Sequence, residues 1–164
     1  MSQAAREADV VKMLKADHRE MERLFQAFEN ATGGERAVIA KTAIRELQRH
    51  ADLEETLIYP IFQKSFEDKD LVNKAVEAHH LVHVLLAEIK KLKPAHTKFQ
   101  AKFTVLAELV KHHIQEEETL LLPQADNREV NWTVMETKVM TRKRELLEKS
   151  SEPGIRSSRR KDHP

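Results

Sequence analysis

Apolar residues recur at the three-and-four spacing of an amphipathic helix along four stretches of the chain. In the first, Val11, Leu14, Met21, Leu24, Phe25 and Phe28 share a face. The second carries Ala40, Ala43, Ile44, Leu47, Ala51, Leu57, Ile58 and Ile61; the third Val72, Ala75, Val76, Val82, Leu86 and Ile89. The fourth reads Phe99, Phe103, Leu106, Val110, Leu120 and Leu121. Breakers separate the stretches: "NATGGE" around Gly33 and Gly34, "SFEDKD" around Asp68 and "LKPAHT" around Pro94. Thr32 with Glu35 and Thr97 with Gln100 have capping-box spacing at the start of two of the helices. Connections this short make successive helices antiparallel neighbours, so the pattern predicts an all-α fold, an up-down-up-down four-helix bundle.

A fifth segment, "EVNWTVMETKVMTRKRELLEKS", adds a C-terminal helix on the outside, with Trp132 as a packing contact. The domain expectation is therefore a bundle plus C-terminal helix over residues 1–148. Residues 149–164 carry a basic cluster from Arg156 to Lys161 without apolar partners and read as a disordered tail.

Composition narrows the function. Lys+Arg 28 against Asp+Glu 27 gives no global reason to expect nucleic acid or an acidic membrane surface as partner. Cys 0 excludes disulfides, thiolate nucleophiles and sulfur-ligated zinc or iron–sulfur sites. Gly 3, Pro 5 and an aromatic share of 5% suit long helices better than sheet. No segment has the character of a signal peptide or a membrane span, and the expected location is the cytoplasm.

Each stripe is interrupted by polar residues where the core face should continue. His18 lies in the first, His50 and Glu54 in the second, His79 and His83 in the third, and His113 and Glu117 in the fourth. "QRHADLEETLIYP" and "VKHHIQEEETLLLP" align on Pro60 and Pro123, matching His50 with His113, Glu54 with Glu117 and Glu55 with Glu118. His18 and His79 lie upstream at nearly equal distances, so the chain reads as two copies of a two-helix unit. A His and a Glu four apart can form an ordinary surface pair worth about 0.2–0.5 kcal/mol. These lie on apolar stripes, where an unpartnered charge costs several kcal/mol and leucine would serve better.

Other candidates fall away. Glu116 and Glu118 turn from the stripe and read as a solvated face; His112, His96 and His163 read as bystanders, and Tyr59 falls off the stripe. "HH" allows two registers, of which His79 is preferred over His80 because it shares a face with His83.

The surviving donors are His18, His50, Glu54, His79, His83, His113 and Glu117. They are too many for one tetrahedral zinc, so two ions are implied. Imidazole and carboxylate without sulfur suit iron, and are compatible with manganese, zinc or cobalt. If both carboxylates bridge, His79, His83 and His113 serve one ion and His18 and His50 the other. One bridging oxygen then completes six bonds on the first ion and leaves an open position on the second.

With "DH" at His18, "HADLE" at His50–Glu54, "HHLVH" at His79–His83 and "HIQEE" at His113–Glu117, the chain resembles the hemerythrin family, specifically the bacterial HHE cation-binding domains, over roughly residues 10–125. The resemblance implies a non-haem centre of two oxo- or hydroxo-bridged iron ions. It also implies dioxygen, nitric oxide or hydrogen peroxide as the small ligand. In the family two ferrous ions supply two electrons to dioxygen at the open iron.

Two features depart from the animal oxygen carriers. Their final carboxylate is an aspartate one residue further from its histidine, where this chain has Glu117. Glu22 stands where the second repeat has His83, either as a surface glutamate or as a competitor for the open position. Three classes stay open: binding or sensing of a diatomic, which the residues favour; a catalase- or peroxidase-type oxidoreductase; and an iron-storage or regulatory module.

Overall fold

Helix follows helix through short connections, and the result is an up-down-up-down bundle with one further helix outside it. The computed structural model describes residues 7–126 and 130–151. The elements are α1 (Asp9–Asn30), α2 (Gly33–Leu53), a π-helical turn π1 (Glu54–Ile58), α3 (Tyr59–Ser65), α4 (Asp70–Lys90), α5 (Thr97–Glu116), a second π-helical turn π2 (Glu117–Leu121), α6 (Leu122–Asp126) and α7 (Trp132–Ser151). The α2–π1–α3 and α5–π2–α6 runs are each continuous, so they act as the second and fourth rods. α1 packs on α2 and α4 on α5, giving two hairpins.

The ends of the rods differ from the capping expected. Thr32 is the N-cap of α2 but makes no side-chain cap bond. There, Gly33 at φ 55° supplies the reversal in the left-handed region that glycine tolerates. At α5 the cap is His96, whose Nδ1 accepts from the Lys98 N–H at 3.1 Å, and Thr97 is already helical.

Two apolar clusters form the core, one at each end of the bundle. The first unites Leu14, Leu53, Ile58, Phe62, Val72 and Leu122 with Met135 and Val139 of α7. The second gathers Met21, Phe25, Phe28, Leu47, Val82, Phe103, Val110 and Ile114. His18 sits between Leu14 of the first and Met21 of the second, and His50, His79 and His113 are bracketed alike on their own helices. The polar interruptions of the four stripes therefore form one layer sealed above and below. Each fully buried aromatic or aliphatic side chain contributes on the order of 1.5–3 kcal/mol to this seal.

Both π turns have the same cause. Pro60 and Pro123 have no N–H for the carbonyl four residues back, and their rings crowd that carbonyl. Ahead of each proline the ladder widens: the Tyr59 N–H reaches the Glu54 carbonyl and the Leu122 N–H the Glu117 carbonyl, each five residues back. Thr56 and Thr119 add the same local bond in both copies, their hydroxyls donating to the carbonyls of Asp52 and Gln115 at 2.6 and 2.7 Å. The extra residue rotates everything beyond it. Leu120, expected on the stripe, is 47% exposed, while Leu122 is buried.

α7 lies across α1 and α2. Arg142 clasps Asp52 through Nε and Nη2 at 2.7 and 2.9 Å, and the Lys143 ammonium meets Asp17 at 2.7 Å. Trp132 packs edge-on against Phe62, as a packing contact should. The helix continues to Ser151, and the basic cluster from Arg156 to Lys161 lies outside the described residues. No helix among the described residues is long and apolar enough to cross a membrane.

Candidate metal centre

At mid-height the four rods converge on a buried set of donors. His18 and Glu54 are 0% exposed, Glu117 1%, His79 4%, His50 5% and His113 7%. They divide into two groups. On one side His50 Nε2 stands 3.1 Å from His18 Nε2 and 2.9 Å from Glu54 Oε1, while His18 Nε2 stands 3.2 Å from Glu117 Oε2. On the other, His79 Nε2 is 3.0 Å from Glu54 Oε2 and 3.1 Å from His113 Nε2. Glu54 thus presents one oxygen to each side, whereas Glu117 turns Oε2 toward His18 and stands 3.9 Å from His113 Nε2 through the same atom.

The residues fit a pair of ions. Glu54 Oε1 and Glu117 Oε2 are buried without a hydrogen-bond partner, a costly arrangement for carboxylates. Four imidazole Nε2 atoms also face inward in pairs. Two donors at right angles, each about 2.1 Å from an ion, stand about 3 Å apart. The separations of 2.9–3.2 Å between neighbouring donors are those of ligands around a common centre.

Tyr59 completes the second group. Its hydroxyl oxygen lies 3.1 Å from Glu54 Oε2, 3.1 Å from His79 Nε2, 3.1 Å from His113 Nε2 and 3.2 Å from Glu117 Oε1. A 3.6-residue period puts position 59 off the stripe. The π turn, by adding a residue, puts it on. In the second repeat the equivalent position is Leu122, so the phenol breaks the symmetry of an otherwise matched pair.

His83 does not join the group. Its side chain is 47% exposed, and Nε2 lies 2.7 Å from Glu55 Oε1. The Tyr59 hydroxyl stands beside His79 Nε2, in the place expected of His83, and Glu55 Oε1 holds the His83 imidazole outside the buried layer. Glu22, its counterpart in the first repeat, is a surface residue paired with Arg19 at 2.9 Å. His79 is buried and His80 exposed, as the preferred register requires, and His112 is exposed beside Glu116. His163 lies outside the described residues.

An outer layer orients the imidazoles. Glu118 Oε1 lies 2.7 Å from His18 Nδ1, and Glu55 Oε1 lies 2.7 Å from His79 Nδ1. Asp17 Oδ2 approaches His50 Nδ1 at 3.5 Å. A proton held on Nδ1 leaves the Nε2 lone pair aimed inward, which is how a metal-binding histidine is normally fixed. Glu118, expected to be solvated, is instead drawn between His18 and Arg19. The cue was its alignment with Glu55, since each follows the inward-facing glutamate by one residue.

Without metal these groups share protons. Burial alone would push His50 down, but Glu54, Asp17 and Glu117 outweigh it and raise the imidazole to about 10. Burial and the charge of Glu54 push Glu117 up to about 7. Burial would raise Glu54 too, yet His50 and His79 hold it well below the carboxylate range. His113 is lowered to about 4, chiefly by burial. Burial first, then Glu54 and Glu117, keep Tyr59 protonated.

Comparison with known proteins agrees with this geometry. The sequence profile of the Hemerythrin HHE cation binding domain matches residues 9–125. An uncharacterized hemerythrin-like protein of Schizosaccharomyces pombe is 30% identical over 110 residues, 65% of this chain and 54% of that protein; the chain spans about half the length of this curated relative. Among solved structures, a Hemerythrin HHE cation binding domain-containing protein from Mycobacterium kansasii superposes with a TM-score of 0.68 over 91% of this chain and 92% of that one. At 18% identity this likeness speaks to fold.

Proposed function

The chain belongs to the hemerythrin HHE cation binding domain family, and from that premise we propose that it holds two iron ions and binds dioxygen or a related diatomic between its hairpins. The observation that carries this reading is the division of Glu54, which gives one oxygen to the His18/His50 side and one to the His79/His113 side, with Glu117 joining the first side through Oε2 and meeting the Tyr59 hydroxyl through Oε1. With Tyr59 in the place expected of His83, the second side offers two imidazoles, a phenol oxygen and Glu54 Oε2, with Glu117 Oε1 beside the phenol. The first offers two imidazoles and two carboxylate oxygens. Two ions held by these donors would leave room for a small ligand on the His18/His50 side, where no phenol stands.

When bound, iron supplies reversible electron transfer and Lewis acidity. The protein's own part is to hold four imidazoles, two carboxylates and a phenol in a dry layer, fix the imidazole tautomers through Glu118, Glu55 and Asp17, and exclude water with the two apolar clusters. In the metal-free protein Tyr59 holds a proton that its hydroxyl donates to Glu54 Oε2 or Glu117 Oε1, and ligation of the phenol oxygen would release it.

Tyr59 also favours a second reading, decomposition of hydrogen peroxide. An anionic phenol donor favours the ferric state more than a neutral imidazole does, and tyrosine is the iron ligand of the haem catalases. A centre biased toward ferric iron releases bound dioxygen poorly and suits two-electron cycling. The optical spectrum of metal-quantified ferrous protein, followed as air is admitted and removed under argon, separates the two. A band that appears and fades supports carriage. One-way conversion to a ferric spectrum, followed by dioxygen evolution from added peroxide, supports turnover. Failure to hold two ions per chain would sink both.

A further inference from the structure

The two sides of the centre differ in how they meet solvent. Over the His18/His50 side, Arg19 clasps Glu118, Lys143 clasps Asp17, and a recess of only about 40 Å3 that reaches His50 is closed by Lys143 and Arg49 together with Asp17, Glu20 and Glu46. The space touching His50, His79 and His113 from within is about 10 Å3. A surface pocket of about 360 Å3 opens on the other side, lined by Glu55, Tyr59, Pro60, Gln63, Val76, His79, His80 and His83. Two of its walls, Tyr59 and His79, belong to the candidate donor set. Its charged residue is an acid, Glu55, and no lysine or arginine lines it.

A hydrated divalent ion carries six or so waters, roughly 180 Å3 at about 30 Å3 each, so it fits here and not in the smaller recesses. Glu55 Oε1 stands 2.7 Å from both His83 Nε2 and His79 Nδ1, and His80 shares the wall. These are nitrogen and oxygen donors that can replace waters one at a time.

Resting on the two-ion reading above, we infer that this pocket is the loading port of the centre: His80, His83 and Glu55 capture a divalent transition-metal ion from solvent and pass it inward past Tyr59 and His79. The design explains why the repeat is broken here. Arg19, paired with Glu22 and Glu118, stands on one side where the second repeat has His80, and His80 with His83 offers nitrogen donors on the other. His83 is then a transit ligand, absent from the finished centre.

Cobalt(II) uptake by the metal-free full-length chain tests this, with absorbance following the rate and metal analysis the endpoint. His80→Gln with His83→Gln, and separately Val76→Trp to fill the pocket, are each expected to slow uptake about tenfold or more while both ions still bind at equilibrium. His112→Gln, exposed elsewhere, is expected to match wild type. Wild-type rates in both pocket variants would overturn the port. Loss of one ion at equilibrium in the histidine variant would overturn it too, making His83 a resident ligand. Wild-type protein that takes up no cobalt would strike the two-ion reading beneath it.

Discussion

The Tyr59 hydroxyl lies 3.1 Å from Glu54 Oε2, five residues back along the same rod. In an unbroken α-helix these side chains would diverge, and only the π turn that Pro60 enforces brings them together. The phenol then becomes the one donor that the two halves of the centre do not share.

Tyr59→Phe keeps the ring and its packing while removing the oxygen. Ferric wild-type protein is expected to show a phenolate-to-iron band in the visible, and the variant to lack it with helicity intact. In metal-free protein the lost hydroxyl leaves Glu54 and Glu117 less satisfied, a cost of about 1–3 kcal/mol readable by urea denaturation. A band that survives the substitution would remove Tyr59 from the donor set.

The inward-facing glutamates invert the usual relation between function and stability. Glu54→Ala or Glu117→Ala should lose the paired centre and keep a largely helical fold; two magnetically coupled irons in either would sink the bridging role. Glu117→Leu together with His18→Leu should make the metal-free protein more stable by about 1–4 kcal/mol, because apolar groups then replace a buried carboxylate and the imidazole paired with it. Thermal denaturation in the presence of chelator reads this directly.

Glu118 and Glu116 flank the same inward glutamate but face different neighbours. Glu118→Ala frees the His18 ring and is expected to weaken metal affinity about 10–100-fold. Glu116→Ala removes only surface pairs with Lys74 and His112 and should leave affinity within error. Competition with a chelator of known affinity measures both; equal losses would return Glu118 to the solvated face.

Metal uptake should release protons. His50, raised to about 10, and Glu117, pushed up to about 7, carry protons in the metal-free protein that ligation must displace. Protonation opposes binding, so affinity rises with pH. Release is largest below pH 7, where both groups are protonated, and falls as Glu117 ionises on its own. Calorimetric titration in buffers of different ionisation heat counts the protons; a count unchanged between pH 6 and pH 8 would contradict the Glu117 value.

Much of this was legible in the chain because helix period and ligand spacing coincide. His50 and Glu54, like His113 and Glu117, share a face by the same rule that placed Leu47 and Ala51 in the core. Tyr59 was illegible under that rule, since a constant period cannot anticipate an added residue, although proline at the same place in both repeats marked where the period would fail. His83 shared a face with His79, but face-sharing leaves an angular spread wide enough for Glu55 to draw one ring outward while its neighbour points in. Glu118 was misjudged because solvation was inferred from one helix alone, and α1 lies against it.

The exchange of carboxylate oxygens has a consequence for how the chain assembles. His18 and His50 come from one hairpin and must borrow Glu117 from the other, while His79 and His113 borrow Glu54 in return. Neither hairpin can build even half of the centre by itself. Coordination of the proposed ions would therefore act as a rivet between the two hairpins. Stripping the ions should let the hairpins part as intact pieces before either one unwinds, with amide exchange accelerating first at the seam.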